Sequence, residues 1–488
     1  MKRRDFLKRV GVVSAFVSVL PLLRHAMAAD ELSKKPNFVV IFVDDMGYGD
    51  IEPYGSKLNR TPNLSRMAAE GMKLTSFYAA PVCTPSRAQM MTGCYAKRVS
   101  MPNVIFPSCP TGLSTDEKTV ARLLKGMGYT TMCIGKWHLG DQPEFLPTKH
   151  GFDKYVGLPY SNDMGARAEK AGNKPDAKKD KRPPLPLLRD GKVVEAPAEQ
   201  DKLTKLYTEE AVKFITENKD KPFFLYFPHT AVHTPINPGK DFAGKSANGR
   251  YGDWVEEVDW SVGEVLKTLR GLKIDSNTMV LFTSDNGPWL VKGKDGGIAG
   301  PLRGGKGSCW EGGVRVPTVA WWPGRIEAGS SCDAMMSEID VLPTLVKLAG
   351  GAVPVDKKID GMDVWPLLSG KSKESPHEAL YYFKGDSLCG VRSGSWKLLT
   401  VHQGDGMGMK VPAKNDRKSS GPELYNLDKD TGEKEDVAGK NPDVVKKLQD
   451  LIAKMDADLG IKETGPGVRP CGVVSEPKPL VMDAREYK

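Results

Sequence analysis

The sequence predicts an α/β protein: a large mixed, mostly parallel sheet sandwiched by helices, with a smaller C-terminal α+β subdomain. Three observations carry this. Short apolar runs of strand length alternate with stretches of helical period from about residue 36 to 350, a pattern that calls for crossover helices on both faces of a parallel sheet. After about Gly350 the alternation gives way to short strands separated by glycine turns and then a terminal helix. The 488 residues also exceed the roughly 250–300 at which one core stops growing. The predicted division is a leader at 1–29, a main α/β domain at 30–349 and a subdomain at 350–488 with a small antiparallel sheet.

Phe38–Val43 opens the domain as a buried strand and stops at Asp44-Asp45 and a glycine turn. Helical stretches follow at Pro62–Gly71, Pro85–Tyr95 and Thr119–Met127, then a strand at Tyr129–Ile134. Lys205–Asn218 and Asp253–Leu269 read as helices, Phe223–Phe227 and Met279–Thr283 as buried strands. Residues 165–200, with Lys178-Lys179-Asp180-Lys181-Arg182-Pro183-Pro184, read as a charged surface insertion rather than a basic binding patch. In the subdomain, Leu380–Phe383, Leu388–Arg392 and Trp396–Leu399 read as strands and Pro442–Leu459 as a helix.

The leader resembles a twin-arginine export signal. Arg3-Arg4-Asp5-Phe6-Leu7-Lys8 precedes an apolar run from Val10 to Leu23, too short to span a bilayer, and Ala26-Met27-Ala28 supplies a small-residue cleavage pattern. Lys2 departs from the usual Ser or Thr of such signals. Export to a periplasmic or extracellular space, without stable membrane insertion, is the expectation. The leader also holds six Lys/Arg against one acid; without it 64 basic and 60 acidic residues leave +4 of the formal +9. That excess gives no argument for nucleic-acid binding. Eight cysteines are too few for a disulfide scaffold, and with Cys83 reserved for chemistry the remaining seven cannot all pair within the chain.

In open α/β sheets, sites gather at the C-terminal ends of strands, and four stretches lie there or at a helix start. Asp44-Asp45 are adjacent carboxylates, costly to ionise together in an apolar neighbourhood without a cation; alone, Asp-Asp-Met-Gly is more often an ordinary loop opening. Ser284-Asp285-Asn286-Gly287 repeats the arrangement, and parallel neighbouring strands would bring both to one sheet edge. The combined donor set is all oxygen, suiting calcium or magnesium and arguing against zinc. Cys83-Thr84-Pro85-Ser86-Arg87 puts proline in a first helical turn, so Cys83 lies where free N–H groups and the dipole favour an anion, with Arg87 four residues on along the same face. The fourth stretch is Ala231-Val232-His233-Thr234-Pro235, just past the strand Phe223–Phe227.

Cys83-Thr84-Pro85-Ser86-Arg87 resembles the Cys-x-Pro-x-Arg modification motif of the type I, formylglycine-dependent sulfatases, an arylsulfatase family within the alkaline phosphatase superfamily. Gly135-Lys136-Trp137-His138-Leu139-Gly140 resembles the family's second signature. Leu302-Arg303-Gly304-Gly305-Lys306-Gly307 with Trp310-Glu311-Gly312-Gly313-Val314-Arg315-Val316-Pro317 resembles a third. Glu423-Leu424-Tyr425-Asn426-Leu427 is similar to its C-terminal subdomain, so the likeness runs in order from about residue 36 to 460.

The resemblance implies a sulfuric ester hydrolase acting on sulfate esters, of sulfated glycans or aryl sulfates. A separate maturation enzyme would oxidise Cys83 to formylglycine, whose hydrate has two hydroxyls: one attacks sulfur, the other later loses its proton to expel sulfate and restore the aldehyde. Asp44, Asp45, Asp285 and Asn286, with the modified Cys83, match the metal ligands, calcium being expected ahead of magnesium. Arg87 would orient the diol, Lys136 and His138 contact sulfate and diol with His138 a base for sulfate release, His233 protonate the leaving oxygen, and Lys306 hold a sulfate oxygen. Lys136 and His138, two apart in extended chain, would share one side while Trp137 packs on the other. His229 competes with His233 as the acid, but only His233 precedes Thr-Pro. His150, His377 and His402 have no supporting context.

Two other readings remain. Phosphate and phosphonate hydrolases of the superfamily share the sheet and metal site; Cys83 counts against the former but not the latter. A non-catalytic protein recognising sulfated glycans would have lost catalytic positions, and none is lost.

Overall fold

The computed structural model describes residues 34–165, 182–410, 421–461 and 463–482. The twin-arginine-like leader and much of the basic insertion lie outside them. Among the described residues no helix is long and apolar enough to cross a membrane.

The main sheet has ten strands. From one edge they run Ser330–Cys332, Met72–Leu74, Val319–Trp321, Thr278–Ser284, Asn37–Val43, Phe223–Pro228, Thr130–Ile134, Lys154–Gly157, Leu187–Arg189 and Lys192–Glu195. The five strands from Thr278–Ser284 to Lys154–Gly157 are mutually parallel; antiparallel pairs enter on either side. Asn37–Val43 shows why the centre holds: all seven residues are buried, and alternate side chains serve opposite faces. Phe38, Val40 and Phe42 enter one core; Val39, Ile41 and Val43 enter the other. Pro62–Glu70, Leu203–Glu217 and Gly249–Gly271 cover the second face. Cys83–Thr92, Val120–Gly126 and Val341–Leu348 cover the first.

Two sequence expectations need correcting. The insertion is not all loop: Leu187–Arg189 and Lys192–Glu195 form a hairpin that extends the main sheet at its edge, and their short, charged composition suits an edge strand. The helix expected from Pro85 already begins at Cys83 and ends at Gly93, whose positive φ of 67° closes it. The eight cysteines form no disulfide.

The C-terminal part carries a separate four-stranded antiparallel sheet, ordered Leu380–Lys384, Ser387–Ser393, Trp396–Leu399, Glu423–Asn426, backed by the helix Pro442–Leu459. Its core is shared: Leu398, Leu424 and Leu451 pack in one cluster with Tyr78, Trp310 and Val314 of the larger part. A buried triad fastens the seam, with Lys397 Nζ 2.8 Å from Glu311 and 2.9 Å from Glu433.

Candidate active site

Parallel pairing of Val43 with Ser284 brings two strand ends side by side, so that Asp285 N–H donates to Val43 O at 2.9 Å. Asp44 N–H donates to Ala231 O at 2.8 Å, and Lys136 N–H to Pro228 O at 2.7 Å. The ends of four adjacent parallel strands thereby meet at one edge, where the strand-end rule places a site. Close backbone approach is built into the motifs. A Cβ on Gly135 would lie 1.8 Å from Pro228 O, and one on Gly287 1.8 Å from Gly312 O, so both of these stretches dock through a glycine.

The acidic residues converge as expected. Asp45 N–H donates to Asp285 Oδ1 at 3.2 Å, and Asn286 Nδ2 donates to Asp45 Oδ1 at 2.7 Å. Three cations close on them from different elements. Arg87 Nη2 lies 2.8 Å from Asp285 Oδ2 and 3.3 Å from Asp44 Oδ2. Lys136 Nζ lies 2.5 Å from Asp44 Oδ2, and Lys306 Nζ 2.7 Å from Asp45 Oδ1. Asp44, Arg87, Lys136 and Asp285 are wholly buried.

Burial of this density perturbs titration. It pushes Asp44 up, but Lys136, His233, Arg87 and Lys306 together hold its carboxyl well below the ordinary range. For Asp285 burial and the Asp44 charge win, raising it to about 7. The pull of Arg87 and Lys136 together does not offset them. Two oxygens stand buried with no hydrogen-bond partner, Asp44 Oδ1 and Asn286 Oδ1. A hard divalent cation bound by Asp44, Asp45, Asp285 and Asn286 would satisfy both and favour the ionised form of Asp285. Asp44, Asp45 and His233 also form a cluster able to hold a metal.

Cys83 is the first residue of its helix, follows the extended Val82, and is 3% exposed. Burial raises its thiol pKa, against the pull of Lys136 and Lys306, so the unmodified side chain is a neutral thiol and a poor nucleophile. Thr84 Oγ1 donates to His138 O at 3.0 Å, and Ser86 Oγ donates to Asp285 O. The helix start is therefore tied to the second signature and to the Ser284–Gly287 stretch.

His138 lies in this neighbourhood, but not by strand alternation. The strand Thr130–Ile134 has ended, and His138 takes a left-handed φ of 60°, as does Asp45. Two non-glycine site residues in that region cost about 1–3 kcal/mol each. Burial and the charges of Lys136 and Arg87 hold His138 well below its ordinary pKa. Its Nε2 lies 2.9 Å from Ile105 O, which assigns the proton to Nε2 and leaves Nδ1, buried and unpartnered, as an acceptor. Trp137 is wholly buried, its Nε1–H on Phe145 O at 2.8 Å, as packing requires.

His233 stands across the site, Nε2 3.6 Å from Asp45 Oδ2. Its Nδ1 lies 3.1 Å from Asn162 Oδ1 and 2.6 Å from Thr234 O, both acceptors. His229 instead packs in the core against Phe227, ring centroids 4.2 Å apart, where burial drops its pKa to about 3. Of the other histidines, His150 is buried against Trp137 and His377 pairs with Asp340 at 2.7 Å.

Several site residues escaped the sequence. Ser161 Oγ takes a hydrogen bond from Lys136 Nζ at 3.1 Å, and Asn162 supports His233. Both follow the strand Lys154–Gly157, so the strand-end rule could have found them. The loop at 403–407 could not be found that way. Gly305 N–H donates to Asp405 O at 2.7 Å, Met407 N–H to Lys306 O at 2.5 Å, and Cys309 N–H to Gln403 Oε1 at 2.8 Å. The C-terminal part thus holds the Lys306 loop in place. Glu311, within the third signature, belongs to the seam, not to the cage of cations.

Comparison with known proteins agrees with this geometry. Residues 36–352 match the family model described as Sulfatase, and residues 305–458 that described as N-sulphoglucosamine sulphohydrolase, C-terminal. The chain is 39% identical to N-acetylgalactosamine-6-sulfatase of Canis lupus familiaris over 410 residues, covering 80% of this chain and 76% of that one. It is 38% identical to arylsulfatase A of Homo sapiens over 440 residues, 86% of each. A crystal structure of Ps i-CgsB with k-i-k-neocarrahexaose superposes with TM-score 0.73 at 31% identity, over 86% of this chain and 93% of that one. The family match, shared sequence over most of the length and the shared fold place this chain in the sulfatase family, as a hydrolase of sulfuric esters.

Proposed function

We propose that the site hydrolyses sulfate esters of glycans, using residue 83 as formylglycine and a calcium ion held by Asp44, Asp45, Asp285 and Asn286. The observation that carries the reading is the convergence of Arg87, Lys136 and Lys306 on one carboxylate cluster beside Cys83. Once a maturation enzyme has oxidised it, residue 83 in hydrated form supplies one hydroxyl that attacks sulfur and a second whose loss of a proton restores the aldehyde and expels sulfate. The metal, when bound, supplies positive charge to a sulfate oxygen and to the attacking hydroxyl; calcium suits the all-oxygen donor set better than magnesium, which tends to keep several waters.

The remaining roles belong to the chain's own groups. Lys136 and Lys306 hold sulfate oxygens, their ammonium groups buried where charge acts strongly. Arg87 orients the hydroxyls of residue 83. His138 Nδ1 accepts the proton given up as sulfate leaves, and His233 Nε2 donates one to the alcohol oxygen. Asn162 fixes the ring of His233 through Nδ1. Export through the twin-arginine-like leader places the enzyme outside the cytoplasm, where sulfated polysaccharides are met. The glycan preference draws on relatives named for N-acetylgalactosamine 6-sulfate and for a neocarrahexaose complex.

The mass of the tryptic peptide Leu74–Arg87 tests this. The peptide from active protein should be lighter by the thiol-to-aldehyde difference and react with hydrazine; an intact thiol in active enzyme would overturn the nucleophile.

A further inference from the structure

Trp289 stands beside the residue placed to protonate the leaving oxygen. It follows the Asp285–Gly287 motif by two residues, and its ring centroid lies 5.4 Å from that of His233. Lys306 Nζ sits 4.6 Å from the indole centroid and Lys292 Nζ 4.1 Å. The indole Nε1–H donates to Met407 O at 3.3 Å, so one edge is anchored to backbone. Unlike the wholly buried Trp137, Trp289 is only half-buried. Lys292 is exposed and, among the described residues, has no carboxylate partner.

This placement constrains the leaving group. A proton passes from an imidazole to an oxygen only at hydrogen-bond distance, about 2.6–3.2 Å. The carbon bearing that oxygen therefore lies within a few ångströms of the His233 ring, and the atoms beyond it meet the neighbouring indole. A fixed aromatic face offers apolar contact at low entropic cost, while the ammonium groups beside it suit a polar, anionic ligand rather than a wholly apolar one.

We propose that Trp289 is the specificity-determining platform of this sulfatase, packing the C–H face of a saccharide ring whose sulfate ester lies between His233 and residue 83. The proposal rests on the assignment of His233 as proton donor. Its test compares matured wild-type enzyme with Trp289→Ala and Trp289→Phe on N-acetylgalactosamine 6-sulfate, a sulfated carrageenan oligosaccharide and 4-methylumbelliferyl sulfate, with inhibition by inorganic sulfate as a measure of the anion pocket alone. Trp289→Ala should lose at least tenfold in kcat/KM on the better saccharide, chiefly through KM. Trp289→Phe should stay within threefold of wild type, and inhibition by inorganic sulfate should not change. Unchanged saccharide turnover in Trp289→Ala would overturn the platform, as would an equal loss of sulfate affinity, which marks collapse of the anion pocket. A loss confined to the aryl ester would replace the saccharide by an aryl group and overturn the substrate class. If matured wild-type enzyme turned over none of the three esters, the proposed function itself would fall, and this proposal with it.

Discussion

Arg87 and Asp285 form a wholly buried ion pair, Nη2 to Oδ2 2.8 Å, between the helix that begins at Cys83 and the end of a central strand. The same guanidinium donates through Nη1 to Lys136 O at 2.6 Å, so one side chain spans three of the motifs. Removing one partner of a buried pair costs about 3–5 kcal/mol, because the other charge is left uncompensated. Arg87→Ala should therefore lower stability by about that amount in urea denaturation and abolish turnover, whereas Arg87→Lys should recover stability before activity.

Metal loading should be visible without turnover. At metal concentrations near 100 times Kd, binding adds about 2.7 kcal/mol to the folded state. Chelation should lower the Tm of wild type, and added calcium should restore it. Asp45→Ala, which removes a proposed ligand, should be inactive and show a Tm insensitive to both treatments. Full activity of that variant after chelation would remove the metal from the account.

Proton donation by His233 predicts a dependence on leaving group. His233→Ala should slow hydrolysis of an unactivated sugar sulfate by about 10²–10⁴-fold. On 4-nitrophenyl sulfate, whose leaving oxygen needs no proton, the loss should be far smaller. Equal losses on both would assign His233 to sulfate binding instead.

His229 links stability to pH. Burial depresses its pKa from 6.5 to about 3, so between those values the unfolded state binds the extra proton. Its contribution is complete above pH 6.5 and falls away as pH drops toward 3, at about 1.4 kcal/mol per pH unit. Buried carboxyls oppose this: Asp50 and Glu257 are raised to about 7 and gain stability on acidification. The prediction is thus a difference. The stability gap between His229→Leu and wild type, from urea midpoints at pH 6.5, 5.5 and 4.5, should shift in favour of the variant by about that slope.

The seam triad gives a fourth stability prediction. Lys397→Met leaves Glu311 and Glu433 facing each other in the interior and should cost about 3–5 kcal/mol, while adding Glu311→Gln and Glu433→Gln should recover much of it. Differential scanning calorimetry on the single and triple variants would check this.

What could be read in the sequence follows from periodicity. Asn37–Val43 and Thr278–Ser284 are continuous apolar runs ending on acids, so both strands and their shared site edge were legible, and Pro442–Leu459 was bounded correctly by its amphipathic pattern. The hairpin Leu187–Arg189 and Lys192–Glu195 was not, because an edge strand half open to solvent carries charge and loses the apolar signal. Among site residues, those inside motifs were legible. Ser161 and Asn162 carry no motif and only their place just past a strand marks them, while the 403–407 loop acts through contacts closed by tertiary structure that no local pattern announces. His138 was placed for the wrong reason: a left-handed backbone, not an extended one, turns it to the site.

The backing of Lys306 by residues 403–407 makes catalytic competence a property of the finished chain. Asp44 and Asp405 lie far apart in the sequence, yet both bear on one lysine's neighbourhood. A polypeptide cut short before Gln403 would retain every side chain proposed for catalysis and still lack the brace for one of its three cations. Such fragments would be inert, and recovery of turnover when the missing segment is supplied in trans would report docking of the segment from Gln403 onward.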